Sequence, residues 1–181
     1  MRREYNEVIE VPESVVCQIN ETNTLTCKKG EVETSRSMDI PESRVEVENN
    51  KIKIICKKAN KKSRAYVKTY VGHIKNMLKG LDEKFVYELE ICHVHFPMTV
   101  KVEGETLVIS NFLGEKENRS AKIVSGVDVD VKGNKITVSS HDLESAGQTA
   151  ANIERASKIY KKDRRVFQDG IFMTAKNGRI I

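Results

Sequence analysis

The chain has 181 residues, 39% of them hydrophobic and 6% aromatic with no Trp, a length that admits one large domain or two small ones. No stretch approaches the roughly 18 consecutive apolar residues of a membrane span, and the start, Met1 to Val8, lacks the apolar core of a secretory signal. A cytosolic or nuclear address is expected.

The net charge of +5 is segregated along the chain. Residues 51–68 hold eight Lys or Arg and no acid, and residues 155–181 hold eight bases against two acids, so the remainder carries −9. Concentrated basic runs on an otherwise acidic chain are the footprint of a polyanionic partner.

In chain order, the first half predicts short strands at Val15–Ile19, Leu25–Cys27, Val45–Val47 and Ile52–Ile55, all with β-branched, period-two character. Asn23 and Asn49-Asn50 supply turn chemistry between them. From about Ser63 to Leu81 the apolar residues Val67, Val71, Ile74, Leu78 and Leu81 fall at steps of 4, 3, 4 and 3. That spacing predicts one amphipathic helix, ending near Gly80.

The second half predicts strands at Phe85–Val94, Thr99–Val102, Leu107–Ile109, Ala121–Val124, Val127–Val131 and Ile136–Val138, the last pair turned by Gly133-Asn134. A helix follows from about Asp142 to Tyr160, with Leu143, Ala146, Ala150, Ile153 and Tyr160 on its buried side. Asp142 or Ser140 can cap it. The basic tail beyond Tyr160 has no counterpart in the first half.

The two halves are copies at a spacing of 84 residues. Val45-Glu-Val-Glu-Asn-Asn-Lys-Ile-Lys-Ile54 aligns with Val129-Asp-Val-Lys-Gly-Asn-Lys-Ile-Thr-Val138, and Gly30-Glu31 aligns with Gly114-Glu115. Runs of strands followed by one helix, twice over, give an α+β class with one domain over residues 1–81 and a second over residues 82–181.

Chemistry-bearing clusters are few. Cys92-His93-Val94-His95 places two His on one strand face, with no second cluster to complete a zinc site. Ser139-Ser140-His141-Asp142 has the residue types of a hydrolase triad but reads better as a helix cap. Asp128 and Asp130 suit an exposed strand face, and no phosphate-cradling glycine motif occurs. The four cysteines (Cys17, Cys27, Cys56 and Cys92) form no C-x-x-C pair and read as small buried apolar groups rather than disulfide partners. No enzyme, metal or cofactor is expected.

Two segments stand out. Asn111-Phe-Leu-Gly-Glu-Lys116, followed by Arg119, breaks the strand pattern with a basic rim. Lys161-Lys-Asp-Arg-Arg-Val-Phe-Gln-Asp-Gly-Ile171 interleaves bases with an aromatic, and Phe167 is expected to anchor the tail rather than stack on a base.

These two segments, with His95-Phe-Pro97, Gly126-Val127, Gln148-Thr-Ala-Ala151 and His73-Ile-Lys-Asn-Met-Leu-Lys-Gly80, closely resemble the universal large-subunit ribosomal protein six family in its eukaryotic and archaeal branch, where the eukaryotic member is called nine. The resemblance covers nearly the whole chain. It implies two tandem homologous domains, each of small antiparallel sheets and one α-helix around a single core. It also implies a structural role in the cytosolic large subunit, with nucleolar assembly if the source is eukaryotic.

The implied partners are large-subunit rRNA near the sarcin–ricin loop and stalk base, neighbouring ribosomal proteins, and translational GTPases docking nearby. The implied RNA contacts are Asn111, Gly114, Lys116 and Arg119 in the loop, and Lys161, Lys162, Arg164, Arg165, Gly170 and Lys176 in the tail. The first-copy loop, Lys28 to Glu33, departs from the family's basic turn. The alternatives are an RNA-binding module outside the ribosome and a metal enzyme on Cys92, His93 and His95.

Overall fold

A computed structural model describes residues 3–41, 43–48, 50–163 and 165–181, with Arg3 and Lys58 described by their backbone alone. The chain divides into two compact units, residues 1–83 and 84–181. In the first, β1 (Arg3–Glu10), β5 (Ser43–Glu48) and β6 (Lys51–Ala59) form an antiparallel sheet in the order β1-β6-β5. A second sheet has the order β2-β3-β4, from Val16–Ile19, Thr24–Lys29 and Val32–Ser37. Helix α1 (Lys61–Asp82) closes the unit.

The apolar periodicity fixes which face each element buries. Leu25, Ile52, Ile54, Val67 and Ile74 are all fully buried in one cluster, where strand alternation and the helical stripe converge. Helix α1 begins where Asn60 accepts the backbone N–H of Ser63 at 2.8 Å, and it lies against β1, β3, β4 and β6. Burying five such side chains stabilises the unit by roughly 1.5–3 kcal/mol each.

The second unit replays this plan. Its strands are β7 (Phe85–Cys92), β8 (Thr99–Glu103), β9 (Thr106–Ser110), β10 (Arg119–Lys122), β11 (Asp128–Lys132), β12 (Lys135–Ser140), β13 (Gly170–Lys176) and β14 (Arg179–Ile180). Helix α2 spans Leu143–Ala156, and the sheets run β11-β12-β7-β13-β14 and β8-β9-β10. The duplication extends to register. Glu10 faces Lys51 and Ile9 faces Ile52 in the first copy, as Glu90 faces Lys135 and Leu89 faces Ile136 in the second. Among the described residues, β13 and β14 have no first-copy equivalent.

Several expectations need correction. The basic tail, for which no strand is expected, contains β13, paired along β7, with Ile171 fully buried. The first strand of the second copy stops at Cys92, and the chain bends over Val94, His95 and Phe96. Helix α2 ends at Ala156, since Ser157 turns its hydroxyl to accept the N–H of Ile171 at 2.9 Å. Tyr160 therefore leaves the helix and is 63% exposed.

Cys17 and Cys27 form a disulfide, contrary to the apolar reading. The β2–β3 register sets them directly opposite, with Cα atoms 4.1 Å apart. Cys56 is a buried free thiol and Cys92 a half-buried one. Strand β4 is absent from the sequence reading. The first-half Asn turn survives in Asn50, at φ 57°, while Asn49 lies outside the described residues.

Candidate nucleic-acid interface

Between β9 and β10 the chain must reverse within a few residues. It does so through Asn111 (φ 59°), Leu113 (φ 51°) and Gly114 (φ 76°), all in left-handed backbone. Asn tolerates that region, and Asn111 is held there by donating its Nδ2 to the carbonyl of Pro97 at 2.8 Å. Gly114 meets the requirement without strain, and its Cα faces the Phe96 ring, which an added Cβ would approach to 3.7 Å. Phe112 between them is fully buried and pins the loop to the core, while Lys116 stays exposed.

Arg119 locks this loop to the end of α2. Its Nε and Nη2 donate to the two carboxylate oxygens of Glu115 at 2.8 and 2.6 Å. Its Nη1 donates to the carbonyls of Ala156 and Lys158 at 3.1 and 2.9 Å, and the guanidinium lies 4.2 Å above the Phe112 ring. Four of the five donors of the fork are thus engaged inside the protein. The Arg119 hydrogen bond is the main reason the Glu115 carboxyl titrates below its usual range, and the nearby charge of Lys162 adds to it.

The segment after α2 is folded by a second lock. Asp169, 2% exposed, accepts the backbone N–H groups of Val94 and His95 at 2.8 and 3.1 Å and faces His95 Nδ1 at 2.6 Å. Burial opposes its ionisation, yet the His95 bond and then the two backbone bonds outweigh that, holding its pKa at about 2. Phe167 stacks on the His95 ring at 5.0 Å between centroids, and Lys162 Nζ lies 4.7 Å above Phe167. Phe167 is the anchor expected of it.

These locks bring much of the expected site together. Asn111, Gly114 and Lys116 share the loop that Arg119 closes at the start of β10, and Lys161 and Lys162 come three and four residues after Lys158, whose carbonyl Arg119 holds. Arg165 is exposed in the turn organised by Asp163, which accepts its N–H at 2.9 Å. Arg164 lies outside the described residues. Gly170 is buried in β13, where an added Cβ would meet the Phe172 ring at 2.9 Å, so its smallness serves packing. Lys176 stands six residues further along that strand, roughly 20 Å away at strand rise.

Beside the locks lies a cavity of about 870 Å³, lined by Cys92, Val94, Arg155, Lys158, Phe167 and Gln168 among others. Arg155 and Lys158 were counted as charge but not as site residues. Glu115 was missed altogether, although its spacing of four from Arg119 was visible. Among the described residues no three His, Cys, Asp or Glu converge to hold a metal ion. Asp142 caps α2 by accepting from the N–H groups of Glu144 and Ser145, the role the capping reading gave this stretch.

The first-copy basic run has another character. Lys53 pairs with Glu48 at 2.8 Å and Lys51 with Glu10 at 3.8 Å, while Lys61, Lys62 and Lys68 sit exposed along α1. Part of that run is neutralised by its own sheet.

A duplicated α+β scaffold that presents exposed bases on its second copy is thus the class that fold and site define. Residues 11–84 and 96–170 each match the family described as ribosomal protein L6. The chain belongs to the ribosomal protein L6 family. It is 42% identical over 175 residues to the large ribosomal subunit protein uL6 of Methanococcus vannielii, covering 97% of this chain and 96% of that one. It is 43% identical over 178 residues to the protein of the same name from Methanosarcina mazei, covering 97% and 99%.

Proposed function

We propose that this chain is a structural constituent of the large ribosomal subunit, working on the ribosome in the cytoplasm without chemistry of its own. Its partners are large-subunit rRNA and neighbouring ribosomal proteins. The near full-length likeness to two large-subunit proteins carries this reading. The finer reading places it near the sarcin–ricin loop and stalk base, supporting the region where translational GTPases dock.

The second unit makes the main RNA contact. Asn111, Gly114 and Lys116 approach the phosphates from the loop, and Lys161, Lys162, Arg164 and Arg165 do so from the segment after α2. Arg119 and Gly170 act by holding those groups in place, and Lys176 serves as an outlying contact. The arrangement that supports this is the pair of locks, which fixes exposed bases on a rigid frame so that little entropy is lost on binding.

Gradient sedimentation of the native protein tests the subunit assignment. The protein should travel with large subunits. A protein found only in the free fractions would favour an RNA-binding module outside the ribosome.

A further inference from the structure

Among the described residues, the duplication leaves one sheet edge filled in the second unit and open in the first. In the second unit β7 is flanked on one side by β12 and on the other by β13. Its first-unit equivalent, β1, is paired with β6 and ends the sheet.

The orientation of the open backbone groups follows from one bond. Val11 donates its N–H to the carbonyl of Asn50 at 2.8 Å, facing β6. In an antiparallel ladder such facing groups recur every second residue, so Ile9, Glu7 and Tyr5 also face β6. Asn6, Val8 and Glu10 point their N–H and C=O groups off the edge. The second unit checks this, because Ile91 donates to Asn134 at 2.8 Å, and the carbonyl of Val86, at the position equivalent to Asn6, accepts the N–H of Asn177 beyond the end of β13 at 2.7 Å.

We infer that the outer edge of β1 receives an extended, basic peptide segment of a partner protein as an added strand. Charge selects the partner. In the row nearest the β5–β6 turn the sign alternates from strand to strand, from Glu10 to Lys51 to Glu48, and the next row on this face runs Val8, Lys53, Glu46. At the edge the row ends on carboxylates, with Glu4 and Glu10 flanking Asn6 and the 52%-exposed Val8. A strand with Lys or Arg opposite Glu4 and Glu10, and an apolar residue opposite Val8, continues both the alternation and the apolar contact.

A second copy of this chain is disfavoured in the pairing centred on Glu7. Antiparallel pairing of β1 with itself about Glu7 sets Glu4 against Glu10 and Glu7 against Glu7, and like charges directly opposite destabilise a strand pair. The carboxylates thereby discourage that register of self-pairing while admitting a basic strand.

Amide hydrogen exchange on the ¹⁵N-labelled full chain tests this, using an eight-residue peptide alternating Lys and Val, and its Glu–Val counterpart. The basic peptide should slow exchange at Asn6, Val8 and Glu10 at least tenfold, and the acidic one should leave it unchanged. Val8→Pro removes an N–H that β6 does not use. It should abolish the slowing at Asn6 and Glu10 while Ile52 and Ile54 stay protected. Glu4→Lys with Glu10→Lys should reverse the preference between the peptides. No slowing with the basic peptide, or equal slowing with both, overturns the proposal. So does protection that appears without peptide as protein concentration rises, or protection of these amides by an RNA fragment instead.

Discussion

Against burial, the His95 bond and the two backbone N–H groups hold the pKa of Asp169 at about 2, below the ordinary carboxyl value of 3.8, so it is ionised at neutral pH. Because the folded-state value is the lower one, its contribution to stability is fully present above about pH 4 and is lost as pH falls from there through 2. That contribution is about 2 kcal/mol. Asp169→Asn should remove a comparable amount at neutral pH and flatten acid unfolding of the second unit in that window, as followed by denaturant titration at several pH values. Arg119 supports a different test. Arg119→Ala leaves the carbonyls of Ala156 and Lys158 without their donors and should cost about 1–2 kcal/mol. Arg119→Lys should recover little of it, since a point charge cannot replace the fork. The salt dependence of RNA binding should keep its slope in both variants, whereas a lost phosphate contact would flatten it by roughly 0.7–0.9. The sequence motif grouped Arg119 with the loop, whereas it is the first residue of β10. Its inward role was hidden because the carbonyls it meets lie 37 and 39 residues away.

At the scale of elements, periodicity revealed what local pattern can carry. The α1 stripe from Val67 to Leu81 and most strands of the 84-residue repeat, though not β1 or β4, were legible, because alternation and helical spacing are written in neighbouring residues. Strand β13 was not. Gly170-Ile-Phe-Met-Thr-Ala-Lys176 stands beside a dense cluster of bases, and its strand character rests on a partner, β7, about 80 residues earlier in the chain. The Cys17–Cys27 pairing was illegible for the same reason, since only the hairpin register sets the two opposite. The consequence is that the end of this chain belongs to the core of its unit. Ile171→Ala should destabilise the second unit by about 3 kcal/mol in urea unfolding. A free basic tail would give no change.

For the molecule as a whole, a scaffold made twice has been given two surfaces. The first copy neutralises much of its basic strand with its own carboxylates, and the second presents Lys116, Lys161 and Lys162 on a locked frame. RNA affinity should therefore fall steeply with salt. Replacing Arg164 and Arg165 with Ala should flatten the log–log slope by up to about two. The most direct test of the central claim is a photo-crosslinking map on the intact large subunit, with probes at Lys116 and Lys162 in the second unit and at Lys57 and Lys68 in the first. The account predicts large-subunit rRNA crosslinks chiefly from Lys116 and Lys162. Crosslinks to rRNA confined to Lys57 and Lys68 would contradict it.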